Sequence, residues 1–280
     1  MNIKLVMADI DGTFLDSAGQ PSEGALAAIQ AIRSCGIKFT LCSGRGNPGM
    51  RSFVDLLKLE IPYIVSGGAA IIEPLDQSVI YQKKMSERQI RQAIHLGLLS
   101  GCEIIFHDAW NQYVLSSDEF WEDNCYGKWI KANGWQKLHR VQSWQEAPIQ
   151  QIIRMDFFSQ DERLPLLAEE VKNLGVDLHA FVMPRNIEIS DRQVDKGKAL
   201  IQLVEHLQLQ LGNVMTIGDN VNDISMLEAA GIGVAMRNSS PDVLRRVNYL
   251  APGCDEGGLA YTLNHLLAGK LSELRVPFTQ

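Results

Sequence analysis

Lys4-Leu5-Val6-Met7-Ala8-Asp9-Ile10-Asp11-Gly12-Thr13 is an apolar run that stops at two carboxylates, a glycine and a hydroxyl. The run reads as a short buried strand, and Gly12 supplies the permissive backbone for an abrupt turn out of a sheet. Asp9 and Asp11 then stand at the strand's carboxyl end, the edge of an open parallel α/β sheet where ligands bind. Taken alone, the same residues would equally serve as an acidic turn, because Asp and Gly are common turn formers.

The pattern around this stretch decides between the two. Ala25 to Cys35 reads as a helix with Leu26, Ile29 and Ile32 on one stripe and Gly36 as its stop. A second buried strand follows from Ile37 to Cys42, then Ser43-Gly44-Arg45-Gly46, a helix from Met50 to Leu59, and a third strand from Pro62 to Val65 ending in Ser66-Gly67-Gly68. This βαβ rhythm predicts a parallel, Rossmann-like sheet with right-handed crossovers. Past about Ile80 the rhythm breaks. All five tryptophans (Trp110, Trp121, Trp129, Trp135, Trp144) fall in the next stretch, with strand candidates at Glu103 to His107 and Gln151 to Phe158. The tryptophans are expected to pack the core of an inserted α+β domain. The rhythm resumes after Asp195 with a helix carrying Leu200, Leu203, Val204, Leu207 and Leu211, a strand at Val214 to Ile217, a helix at Ile224 to Ala230 and a strand at Ile232 to Ala235. The expected organisation is therefore α/β, with a core from 1–80 and 188–280 interrupted by an insert at 81–187.

A chain of 280 residues with 46% hydrophobic and 21% charged residues has the balance of a soluble protein with a substantial core. Its net charge of −7 lacks the basic stripe of a nucleic-acid binder, so a small-molecule partner is expected and no nucleic acid. No run has the length of a membrane span and no secretory signal is visible, which points away from a membrane and toward the cytoplasm. Five cysteines (Cys35, Cys42, Cys102, Cys125, Cys254), odd in number and unpaired in spacing, suit free thiols in a reducing compartment.

Four motifs fall at strand ends or helix starts: Asp9-Ile10-Asp11-Gly12-Thr13, Ser43-Gly44-Arg45, Asp195-Lys196-Gly197-Lys198 and Gly218-Asp219-Asn220-Val221-Asn222-Asp223. In this order and spacing the chain resembles, over essentially its whole length, the haloacid dehalogenase-like (HAD) phosphohydrolases of the Cof type, sugar-phosphatase-like enzymes with a cap inserted between the second and third motifs. The resemblance implies a Mg²⁺-dependent phosphatase acting on small phosphorylated metabolites, sugar phosphates first and phosphorylated cofactors such as pyridoxal phosphate or flavin mononucleotide next. It implies Asp9 as the nucleophile that becomes an aspartyl-phosphate and Asp11 as general acid and base. It also implies Mg²⁺ held by Asp9, the Asp11 carbonyl and Asp219, with Asn220 near that shell. Phosphoryl oxygens would be held by Ser43, the Gly44 and Ile10 amides, Asn222 and Lys196, with Asp223 orienting Lys196. Phosphoryl transfer needs such an in-line nucleophile, a neutralising cation and a proton donor.

Plainer roles stand beside these. Either Lys196 or Lys198 would do as a solvated charge, Asp223 as a helix cap, Arg45 as a structural ion pair, Asp191 and Asp195 as loop or capping residues, and His107 as a surface or structural residue of the insert. Where the family usually reads Asn-Gly-Ala, this chain has Gly67-Gly68-Ala69. Two further functions share the pattern. A phosphomutase of the phosphomannomutase type would need cap arginines for a distal phosphate, for which Arg88, Arg91, Arg140, Arg154 and Arg163 are available. A non-catalytic phosphometabolite-binding protein would need no acid and base, yet Asp9, Asp11, Lys196 and Asp219 are all present.

Overall fold

The computed structural model describes residues 2–116, 138–159, 164–183 and 185–276. Leu5–Ala8 forms β1, whose four side chains are fully buried, as a parallel strand covered on both faces requires. It lies between β2 (Lys38–Leu41) and β12 (Val214–Gly218), and β13 (Ile232–Met236) and β14 (Tyr249–Ala251) complete an all-parallel sheet of order β14-β13-β12-β1-β2. Helix α1 (Ala25–Ser34) buries Ala25, Ala28, Ile29 and Ile32, whereas Leu26 is exposed, so the buried stripe is displaced from the expected one. Gly36, at φ 80°, ends it as expected.

The Ser43-Gly44 turn leads to α2 (Asn47–Leu57), three residues earlier than expected, with Pro48 in its first turn, where a missing amide costs no hydrogen bond. β3 (Tyr63–Val65) is joined to the end of β2 by a parallel bridge between Cys42 and Ile64, then pairs with β4 (Ala70–Ile72) and, through it, β5 (Val79–Gln82) in a small sheet of its own. After the insert, α5 (Lys196–His206) starts on Asp195, whose carboxylate accepts from the Lys198 amide at 2.7 Å. It ends before Leu207, and Leu211 lies in a separate 3₁₀ turn, so the expected apolar stripe runs past the helix. Helix α6 (Ile224–Ala229) packs on α5, and α7 (Gly258–Leu267) on α1.

A second compact unit comprises Arg45–Ser52 and Tyr81–Val194, and the remaining residues form the first. Its sheet has six strands in the order β10-β11-β9-β6-β7-β8: β6 (Glu103–His107), β7 (Gln112–Leu115), β8 (Leu138–Val141), β9 (Arg154–Phe158), β10 (Leu178–Val182) and β11 (Asn186–Asp191). Every pair is antiparallel except β7 with β8. β9 begins at Arg154, three residues after the expected start, because Ile149–Gln151 forms a 3₁₀ turn. The expected return to the core at residue 188 falls inside β11, which stays in this sheet, and the chain rejoins the first unit at Asp195.

Alternation gives this sheet two characters. On one face Phe106, Met155, Phe157, Ile187 and Ile189 form a core with α3 (Glu87–Leu99) and α4 (Leu164–Lys172). On the other, buried polar groups interlock. The His107 Nε2 lies 2.9 Å from an Asp156 oxygen, and Arg154 pairs with Asp156 at 2.9 Å and with Glu188 at 3.3 Å. Of the tryptophans, Trp144 packs against the apolar core but Trp110 is 40% exposed, contrary to expectation, while Trp121, Trp129 and Trp135 lie outside the described residues. The cysteines Cys35, Cys42 and Cys254 are free thiols, and Cys125 lies outside the described residues. Among the described residues no helix is long and apolar enough to cross a membrane.

Candidate active site

The carboxyl ends of β1 and β12, the start of α5 and the turn before α6 bring four expected residues into one cluster. Asp9, one residue past β1, receives the Lys196 ammonium at 2.6 Å, and Asp223, in the turn before α6, receives it at 2.5 Å. All three side chains are buried. Lys198, the alternative lysine, is half exposed and pairs with Asp195 at 3.2 Å, so burial separates two residues that spacing left equivalent. Asp219, one residue past β12, is held through its Oδ1 by the Thr13 hydroxyl at 2.9 Å. Oxygens of Asp9, Asp219 and Asp223 lie within 4.8 Å of one another, an arrangement able to hold a metal ion.

The other expected residues sit around this cluster. Asp11 is exposed, directly after the fully buried Ile10, and its charge adds to the repulsion on Asp9 and Asp219. Ser43 is buried, its amide donating to the Ile64 carbonyl at 3.1 Å, and Gly44 beside it is half-buried. The Asn220 side-chain oxygen accepts from the Val221 amide at 2.7 Å. Asn222 keeps its side-chain oxygen buried with no partner among the described residues. Asp223 does cap locally, its Oδ2 accepting from the amides of Asp219 and Asn220 at 2.9 Å each, while its Oδ1 takes Lys196. One carboxylate therefore fixes both the lysine and the backbone that carries Asp219.

Electrostatics follow from this crowding. Burial first, and the Asp223 carboxylate next, push the Asp9 carboxyl well above the usual range despite Lys196. Burial works against the Lys196 charge, but Asp223 and Asp9 overcome it and hold its pKa well above the ordinary lysine value. Burial and Asp223 push Asp219 up to about 6. Three clustered carboxylates, with the Asp11 charge acting on two of them, face one lysine here. The surplus of negative charge and the hard oxygen donors suit a small divalent cation.

Three further contributors stand here, of which Asn238 is the one the sequence motifs do not mark. Asn238, two residues past β13, donates to the Gly12 carbonyl at 2.9 Å and approaches Asp219 at 3.4 Å, while accepting from the Cys254 amide at 3.0 Å. It belongs to no short motif, and only the fold brings it here. The Thr13 hydroxyl, noted in the opening motif, had no partner assigned. The Ser66-Gly67-Gly68 turn is wedged between two motifs: the Gly67 amide donates to the Ser43 carbonyl at 3.0 Å, and a Cβ on Gly68 would lie 2.4 Å from the Asp195 carbonyl oxygen. That close approach, at φ 103°, explains a glycine there.

In the second unit His107 is buried rather than superficial. Its Nε2 faces Asp156 and its Nδ1 faces the Gln112 amide at 3.3 Å, a pattern satisfied by the neutral ring with its proton on Nε2. Arg91 pairs with Glu87 and lies 4.6 Å over the Trp144 ring, Arg140 donates to the Ser116 carbonyl at 3.2 Å, and Arg163 lies outside the described residues.

Comparison with known proteins identifies the family of the chain and relatives of its fold. A family model described as haloacid dehalogenase-like hydrolase matches residues 6–263. The "Putative phosphatase YxeH" of Bacillus subtilis (strain 168) is 28% identical over 275 residues, spanning 95% of this chain and 99% of its own. The "5-amino-6-(5-phospho-D-ribitylamino)uracil phosphatase YcsE" of the same organism is 26% identical, spanning 95% and 96%. Among solved structures, a haloacid dehalogenase-like hydrolase from Bacteroides thetaiotaomicron superimposes with a TM-score of 0.83 at 21% identity, covering 95% of this chain and all of its own.

Proposed function

Because the chain belongs to the haloacid dehalogenase-like hydrolases, we propose that it is a cytoplasmic Mg²⁺-dependent phosphatase that hydrolyses small phosphorylated metabolites through an aspartyl-phosphate on Asp9. The observation that carries this reading is the buried Lys196 ammonium at 2.6 Å from Asp9, with Asp219 in the same oxygen cluster.

Asp9 attacks phosphorus in line while the bond to the leaving oxygen breaks, and Asp11 donates a proton to that oxygen. Asp11 then takes a proton from water, which attacks the phosphorus and restores the Asp9 carboxylate. Lys196 faces the charge that builds on the transferring group, and Asp223 keeps its ammonium aimed and protonated. The Ser43 hydroxyl, the Gly44 and Ile10 amides and Asn222 hold the remaining phosphoryl oxygens. Asp9, the Asp11 carbonyl and Asp219, with Asn220 beside them, would hold Mg²⁺, which supplies charge neutralisation for the phosphate and for the crowded carboxylates.

Sugar phosphates head the substrate class, with phosphorylated cofactors next. A relative named for a 5-phospho-D-ribityl substrate supports a primary phosphate on a polyol chain. Of the cap arginines available to a mutase for a distal phosphate, Arg91 is paired with Glu87 and Arg154 with Asp156 and Glu188. The test is phosphate release from a panel of sugar phosphates, nucleotides and phosphorylated cofactors, with Mg²⁺, with EDTA and with Asp9→Asn. Metal-dependent release lost in the variant is expected. Binding without release, or sugar-phosphate isomerisation without net release, would replace this reading by the sensor or the mutase.

A further inference from the structure

Five cations, Lys83, Lys84, Arg88, Lys172 and Arg192, line a cleft of ≈ 710 Å³ in the second unit. They arrive from three separate stretches: the segment from Lys83 into α3, the end of α4, and the segment after β11. Charges on one solvated helix face would come from a single element, and these do not. Two carboxylates share the lining, Asp177 and Asp191. Asp191 is buried and already occupied by the Gln89 amide at 3.0 Å, the Gln193 backbone amide at 2.9 Å and Lys83 at 3.6 Å. Lys172 is paired with Glu169 at 2.6 Å. The side chains of Lys84, Arg88 and Arg192 have neither a hydrogen bond nor an ion pair with any described residue. The Ser86 and Gln89 side chains close the capping box of α3, so recognition here would fall to side chains rather than to the helix end.

Lys84, Arg88 and Arg192 thus face the cleft without an ion pair among the described residues, against one carboxylate there that also has none, Asp177, so the lining keeps a positive surplus in a chain of net charge −7. Its volume lies in the range of small-ligand sites, about 300–1,000 Å³. Separated cations suit an anion whose charge is spread along its length, and guanidinium groups match phosphoryl oxygens in geometry. We propose that the cleft binds a small molecule bearing a run of phosphoryl groups, through Lys84, Arg88 and Arg192. The site shares no residue with the Asp9–Lys196 cluster and does not depend on that cluster's chemistry.

Isothermal titration of the full chain with tripolyphosphate and, separately, with ATP, in metal-free buffer at low salt, tests this. Saturable binding is expected, weakened at least about tenfold in K84Q/R192Q, while that variant keeps the wild-type melting temperature and hydrolyses p-nitrophenyl phosphate with Mg²⁺ as fast as the wild type. Tighter binding of ATP would identify a nucleotide as the source of the phosphoryl run, and equal binding the polyphosphate moiety itself. Absence of binding to the wild type, unchanged affinity in the variant, or loss of hydrolysis in parallel with binding would each overturn the proposal.

Discussion

Asp9 is held in a contradiction that only a cation or a proton relieves: buried, beside Lys196, yet repelled by Asp223, Asp219 and Asp11. Asp9→Asn should therefore abolish phosphate release and, in EDTA, raise the melting temperature, because it deletes a strained charge; calorimetry beside a phosphate assay checks both. Lys196→Met should do the opposite to stability, leaving two buried carboxylates uncompensated at a cost of about 3–5 kcal/mol, read by urea unfolding. Asn238 acts at one remove, through the Gly12 carbonyl and Asp219. In Asn238→Ala the Mg²⁺ concentration for half-maximal activity should rise about tenfold or more, as loss of an outer-shell partner commonly does, with a smaller change in maximal rate. Asp9, Asp11, Lys196 and Asp219 could be picked out in the sequence because each stands in a short motif at a predicted strand or helix end. Asn238 could not, since a lone asparagine in a turn carries no local signal.

At the level of elements, regular patterns were readable where burial is two-sided or strictly periodic. β1 and β13 are continuous apolar runs and β12 is broken only by the buried Thr216, and their expected positions match to within a residue or so. β10 and β11 went unread although the buried Ile187 and Ile189 alternate with the half-buried Glu188 and Ser190, because the strand that accepts β11 into the sheet, β9, lies distant in sequence. The polar face of that sheet carries a pH signature. Burial chiefly, and the Arg154 charge with it, hold His107 below its ordinary 6.5, despite the opposing pull of Asp156. The unfolded chain therefore binds a proton that the native ring resists. The contribution is intact above 6.5 and is lost as pH falls from there toward the lower native value. With Mg²⁺ present, thermal melts between about pH 7.5 and 5 should show wild type losing stability more steeply than His107→Gln. Equal slopes would remove His107 from that balance.

At the scale of the molecule, the sequence order of the motifs is explained by a chain that completes half of a parallel sheet, departs for some hundred residues, and returns to finish it. The departure was legible as a break in βαβ rhythm. Its end was not, because β11 and the approach to Asp195 differ only in which sheet accepts them. What the whole fold delivers is one cluster of oxygens from β1, β12 and the turn before α6, set against a single lysine. Cation binding to such a cluster stabilises the native state by linkage. Millimolar Mg²⁺ should raise the melting temperature of the wild type, and Asp219→Ala should erase most of that rise.

The central claim is that Asp9 carries the phosphoryl group. The most direct test mixes Asp11→Asn with p-nitrophenyl phosphate and Mg²⁺, quenches in acid and maps the phosphate by mass spectrometry. Because p-nitrophenolate leaves without a proton, this variant should still be phosphorylated but lose the base that activates water. Phosphate on the peptide containing Asp9, absent from the Asp9→Asn protein, is the predicted result. Turnover by the wild type with no phosphate on Asp9 in either protein would contradict it.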